Sequence, residues 1–131
     1  MKEVLDYLKK TSVFYLATCE SGKPRVRPFG AVTEYGGKLY IITNNKKKVY
    51  KQMKENPNIE LSATGSDGTW LRVEAKAVQD DNREARAKML DEYPSLQGVY
   101  NPDDKLMEVL YLQDATATFY SFTSQPKVVS F

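Results

Sequence analysis

Three short β-prone runs follow one another near the start of this chain: residues 13–19 (VFYLATC), 25–35 and 38–43 (KLYIIT). Only the turn Glu20-Ser21-Gly22-Lys23 with Pro24, and Gly36-Gly37, separate them. Connections this short cannot carry a chain back across a sheet, so successive strands must run antiparallel, and the expectation is a meander of three. The first run is apolar on both faces, and a strand buried on both sides belongs to a closed barrel or to a contact between subunits. At 131 residues the chain is expected to form one domain, 1–131, that buries about two thirds of its unfolded surface.

The remaining elements are set by period and punctuation. Residues 2–10 place Val4, Leu5 and Leu8 on one helical face, with Lys9 and Lys10 at the end where the helix dipole favours cations. After Thr43 the period changes to that of a helix carrying Val49, Tyr50 and Met53, with Asn44 or Asn45 as candidate cap and Asn56-Pro57 as the stop. Two further strands, 59–64 and 70–78, flank a Ser66-Asp67-Gly68 turn. A helix is expected over 81–93, with Asp80 and Asp81 at its start, and another from Asn101-Pro102-Asp103-Asp104 to about Leu110. A last strand covers 115–122. The sum is a mainly β, α+β chain: six or so antiparallel strands with flanking helices, most economically a small barrel.

Composition removes much chemistry. There is no histidine and one cysteine, Cys19, so no Ser-His-Asp triad, histidine base, histidine-bound metal or haem, internal disulfide or cysteine zinc site can be built. No metal site is expected. The longest apolar stretches are far shorter than the roughly 20 residues that cross a bilayer, and Lys2, Glu3 and Asp6 stand where a signal peptide would be apolar. The expected location is the cytoplasm, away from membranes.

The net charge is only +2, but nine basic residues fall between Lys23 and Lys54 against the single acid Glu34. Arg25 and Arg27 point to one face of an extended strand, and Pro28 enforces extended backbone at Arg27. A hairpin return through Gly36-Gly37 sets Thr43 near them, and the next helix brings Lys46, Lys47 and Lys48 to the same rim. Two arginine forks, a hydroxyl, lysines and a helix N-terminus suit a phosphomonoester. Spacing alone leaves open the plainer reading, in which the arginines are solvated or paired and the lysines are a wet helix face. Cys19 reads as a small buried hydrophobe, and Trp70 and Phe131 as packing residues.

The segments FYLATCESGKPRVRPFGAV, KLYIITNNKKKVYKQMKENPNIEL and WLRVEAKAVQD resemble, over essentially the whole chain, the pyridoxamine 5′-phosphate oxidase-like family of FMN-binding split β-barrels. The short form is also similar to its nitroimidazole-reductase-like branch. The resemblance implies a six-stranded antiparallel split barrel and a homodimer holding FMN at the subunit interface. It places Arg27, Pro28 and Phe29 beside the isoalloxazine ring, and Ile42, Thr43 and Asn44 along the ring edge and ribityl chain. Lys47 and Lys48 then face the phosphate, Arg25 makes a second phosphate or ribityl contact, and Trp70 and Arg72 approach from the partner subunit. Longer members carry C-terminal histidine and arginine residues that grip a pyridoxal-type substrate, and the nitroimidazole-reductase branch often has a histidine near the flavin; this chain has none.

The expected function is therefore that of an FMN-dependent oxidoreductase, passing hydride or electrons from a reduced nicotinamide-type donor to a small planar organic acceptor. Trp70 and Phe122 are candidate walls, and no catalytic side chain is assigned. The alternative is a module that binds or senses a flavin, a deazaflavin or another phosphorylated ligand without turnover. Nucleic-acid binding through residues 46–54 is disfavoured by the small net charge.

Overall fold

In the computed structural model, which describes residues 1–131, one antiparallel sheet of eight strands is dressed by three α-helices and a 3₁₀ turn. The strands are β1 (Phe14–Glu20), β2 (Lys23–Phe29), β3 (Val32–Tyr35), β4 (Lys38–Asn44), β5 (Asn58–Thr64), β6 (Thr69–Asp80), β7 (Met107–Ser121) and β8 (Lys127–Ser130). The helices are α1 (Lys2–Thr11), α2 (Lys48–Glu55) and α3 (Arg83–Glu92), with the 3₁₀ turn at Pro94–Gly98. The sheet order is β2-β1-β5-β6-β7-β4-β3, with β8 added to β7.

That order corrects the expected meander. The hairpins β1–β2 and β3–β4 both form, and their turns need the left-handed backbone seen at Ser21-Gly22 and Gly36-Gly37. But β2 and β3, read from sequence as one interrupted strand, are separate strands at opposite ends of the sheet order, joined only by Gly30 and Ala31. The three Cα–Cα steps from Phe29 to Val32 span at most about 10 Å, so the sheet must curl until its edges nearly meet. It does not close: β2 hydrogen-bonds only to β1 and β3 only to β4. The barrel is split, with eight strands rather than six. Pro24 and Pro28 lie on the open edge strand β2, where a missing N–H breaks no ladder.

Inside the curl, alternate residues of every long strand make the main core: Phe14 and Leu16 of β1, Leu61 of β5, Leu71 and Val73 of β6, and Ala115 and Ala117 of β7, closed by Val4 and Leu8 of α1 and by Val49 and Met53 of α2. A second cluster joins Ala85, Met89 and Leu90 of α3 to Tyr40, Met107 and Val109, and it fixes where the chain leaves α3. The buried Tyr40 hydroxyl donates to Asp80 at 2.6 Å. Burial first, and then that hydrogen bond, push the phenol far above its ordinary value.

Three expectations at element ends are corrected. Residues 101–110 are not a helix. The Asn101 and Asp104 side chains cap a loop instead: Asn101 Oδ1 accepts from the Asp103 N–H, and Asp104 from the N–H groups of Asn101, Leu106 and Met107. Lys105 then takes a left-handed φ of 56°, and from Met107 the chain is drawn into the gap between β4 and β6, where both neighbours need a partner. The strand expected from residue 115 therefore starts eight residues earlier, and its partner β8 is an addition. Helix α2 starts after Lys47, not at Asn44 or Asn45, because both asparagines bond elsewhere. The cap of α3 is Asn82, whose side chain accepts from the Ala85 N–H. Asp80 ends β6, and Asp81 pairs with Arg86.

No helix is long and apolar enough to cross a membrane.

Candidate functional site

The split between β2 and the β4–α2 segment is where the charged residues meet. Leu16 and Thr18 of β1 are cross-strand neighbours of Arg27 and Arg25 of β2, so both arginines lie on the core-facing side, at an edge where no further strand covers them. Arg27 is held by three bonds to neutral acceptors: the Leu16 carbonyl (3.1 Å), Thr18 Oγ1 (2.8 Å) and Gln52 Oε1 (2.6 Å). Thr18 in turn donates to the same Gln52 oxygen at 2.6 Å, which locks the buried Gln52 of α2. Arg25 is exposed and spends its charge on Glu20, at 3.2 Å. Arg27, Lys47 and Lys48 have no carboxylate partner. Burial, and then the neighbouring Arg25 charge, hold the Arg27 guanidinium below its ordinary value, with Glu20 pulling the other way. A bound anion would relieve that deficit.

Two neighbouring spaces share Arg27, Lys47 and Val49 as lining residues. One is a polar cleft bordered by Glu20, Arg25, Arg27, Lys47, Lys48 and Gln52, at the start of α2. That start has no side-chain cap and no acid in its first turn, leaving its free N–H groups to favour an anion. The other is a cavity of about 310 Å³ running past Pro28, Phe29, Ile42 and Thr43 to a far wall made by Tyr93, Leu96 and Tyr100. Thr43 is 4% exposed, and its Oγ1 is the single buried side-chain polar atom with no hydrogen-bond partner. Buried polar groups are almost always paired, so an orphan on a cavity wall points to a ligand's polar atom.

Of the residues singled out from sequence, Arg27, Pro28, Phe29, Ile42, Thr43 and Lys47 line the cavity, while Arg25 and Lys48 border the polar cleft. Asn44 acts behind the wall, donating to the Tyr100 hydroxyl at 2.8 Å. Trp70 and Arg72 are not brought to the cavity of their own chain. They alternate with the buried Leu71 and Val73 and so face outward. Arg72 pairs with Glu60 at 2.6 Å, and Trp70 stacks on Tyr120 and leans on Phe122, which is 90% exposed.

Sequence reading missed the far wall and the Thr18–Gln52 pair. The available signal was two tyrosines, Tyr93 and Tyr100, bracketing the polar segment PSLQGV.

The family model described as pyridoxamine 5′-phosphate oxidase matches residues 1–113. A crystal structure of a NimC/NimA family protein from Clostridium acetobutylicum is 46% identical, with a TM-score of 0.96 over 100% of this chain and 92% of that one. General Stress Protein 26 from Bacillus anthracis shares the fold at 16% identity, with a TM-score of 0.77 over 99% of this chain and 97% of that one. A Clostridium acetobutylicum protein related to general stress protein 26, of the pyridoxinephosphate oxidase family, does so at 16% identity and a TM-score of 0.67, over 99% and 92%. No curated protein matches the chain.

Proposed function

The chain belongs to the pyridoxamine 5′-phosphate oxidase family, and from that premise we propose that it is a homodimeric FMN-binding oxidoreductase whose 131 residues form one split-barrel domain. The observation that carries the reading is that a cleft whose Arg27, Lys47 and Lys48 lack carboxylate partners shares Arg27 and Lys47 with a cavity walled by aromatic and aliphatic side chains, and that the orphan Thr43 hydroxyl lies on the wall of that cavity. A phosphorylated tail and a planar ring need those two environments side by side.

FMN, when bound, supplies the acceptance of a hydride from a reduced nicotinamide-type donor and its delivery to a small electron-poor organic acceptor. The chain's own residues bind and orient. Lys47, Lys48 and the α2 N-terminus take the phosphate, and Arg27, rigid because Leu16, Thr18 and Gln52 fix its fork, bridges tail and ring. Thr43 gains the partner it lacks. Pro28, Phe29 and Ile42 exclude water from the ring's apolar side.

The dimer is supported by the outward sheet face, where Tyr15, Val26 and Val128 are exposed and Phe122 is exposed against Trp70. A second copy laid there covers that apolar area and gives Trp70 and Arg72 a route to the partner's ligand.

The test is extraction. Purified protein should be yellow and release FMN on denaturation, identified by mass spectrometry against deazaflavin and haem. Anaerobic addition of NADH or NADPH should bleach it, and a quinone or nitroaromatic acceptor should restore the colour. Bound FMN that no donor bleaches would favour the binding module over the enzyme. A colourless protein that takes up no FMN would overturn the reading.

A further inference from the structure

The far wall of the cavity is built by the chain between α3 and β7, and its two tyrosines each accept one hydrogen bond from the chain. The Tyr93 hydroxyl accepts from the Val32 backbone N–H at 3.2 Å, and a backbone N–H can only donate. The Tyr100 hydroxyl accepts from Asn44 Nδ2 at 2.8 Å. Which end of the Asn44 amide faces Tyr100 is settled by the other end, since Asn44 Oδ1 accepts from the Lys46 N–H at 3.0 Å. A phenol carries one hydrogen and accepts through its oxygen. With each oxygen engaged by a fixed donor, each hydrogen is left to donate, and no atom of the chain receives it. Both residues line the cavity that Thr43 also lines.

We infer that Tyr93 and Tyr100 are hydrogen-bond donors to the oxygen-bearing edge of a planar heteroaromatic ring held in this cavity. The inference rests on the proposed function, in which that ring is the flavin's isoalloxazine, and deepens it by assigning the ring edge to side chains far along the chain from the basic cluster. Neutral donors suit this end. They stabilise charge that gathers on ring oxygens while leaving the phosphate's cations at the other end of the site. The supports are firm, because Val32 lies in β3, Asn44 ends β4, and the Tyr93 N–H donates to the Met89 carbonyl of α3 at 3.1 Å.

The experiment separates the two ends of the ligand. Flavin-free protein is titrated with FMN and with riboflavin, which has the ring and no phosphate, for wild type, Tyr93→Phe, Tyr100→Phe and the double variant. Each lost hydroxyl is expected to weaken both ligands about five- to ten-fold, or about 1–1.4 kcal/mol. The FMN-to-riboflavin affinity ratio should stay constant while the visible absorption band of the bound flavin shifts. Wild-type affinities and an unshifted band in the double variant would overturn the inference, as would a loss confined to FMN. Wild-type protein that binds neither flavin sinks the proposed function and this inference together, so the two failures are told apart. Tyr93→Phe strands a backbone N–H. If the double variant does not fold, Tyr100→Phe alone decides, because its donor Asn44 is only half-buried and can turn to water.

Discussion

Replacing Thr43 by valine should make the ligand-free protein more stable and its ligand binding weaker, and the opposite signs are what make the experiment informative. Thr43 pairs with Glu108 across the β4–β7 ladder, and its side chain is buried with the hydroxyl unpartnered. Valine keeps the β-branched shape and removes only the polar atom. Burying a hydroxyl without a partner costs about 1–3 kcal/mol by mutational measures. Taking about 1–2 kcal/mol as recovered, and an unfolding entropy of about 0.28 kcal/mol/K for a chain of this length, the melting temperature should rise by about 4–7 °C. In the complex the same change deletes one neutral hydrogen bond, so FMN affinity should fall about 2- to 12-fold. Circular-dichroism melts of flavin-free protein give the first number and flavin fluorescence titration the second. A melting temperature unchanged or lowered by the substitution would refute the reasoning, because the hydroxyl would then have been paired in the free protein.

Arg27→Ala with Lys48→Ala should reduce the FMN content of purified protein by at least about ten-fold, each lost charged contact being worth about 1.5–3 kcal/mol; far-ultraviolet circular dichroism should be unchanged and extracted flavin per chain is the readout. Glu92 is pushed up by burial, but hydrogen bonds from Lys9 and Thr33 outweigh this and hold its carboxyl below the ordinary 4.5. Its stabilising contribution is therefore complete above that value and lost as pH falls through the depressed one, and Glu92→Gln should flatten the acid limb of a melting-temperature profile below about pH 5. Asp104→Ala removes the acceptor of three backbone N–H groups at the entry to β7 and should cost about 1–2 kcal/mol in urea unfolding. Val26→Glu with Tyr15→Glu, on the outward sheet face, should halve the mass seen by light scattering.

Local signals made the two hairpins and the three helices legible, because turn glycines and apolar period act within a few residues. The β1–β2 register is set by the Ser21-Gly22 turn, and α1 by Val4 and Leu8. The failures were long-range. Asn101-Pro102-Asp103-Asp104 carries the chemistry of a helix start, yet the chain beyond it enters β7, because β4 and β6 compete for that segment from across the sheet. The separation of β2 from β3 is equally invisible locally, since Pro28 and Gly30 read the same whether they interrupt a strand or end one edge and begin the other. At the site, the near wall lies within 21 residues of sequence, Arg27 to Lys47, and spacing could assemble it. The far wall depends on where α3 docks on β3, and no spacing rule reaches from Thr43 to Tyr93.

The split itself explains why the cations of this chain are free to act. Had β2 paired with a neighbour on its open side, the core-facing side of Arg27 would have been covered, and a buried guanidinium, which keeps its charge, needs a carboxylate partner. Left at an uncovered edge, Arg27 keeps contact with solvent on one side and is fixed on the other by Thr18, Gln52 and the Leu16 carbonyl, which orient it without cancelling its charge. Two residues away on the same strand, Arg25 faces Glu20 and is neutralised. Of the strand's two arginines one is thus spent and one unspent, and only the unspent one borders both the polar cleft and the cavity. The backbone bonds forgone along β2 are left to water, with Pro24 and Pro28 breaking the row that another strand could use. Under the proposed function, an open seam that is a liability in most sheets is the opening through which the ligand reaches a positioned charge.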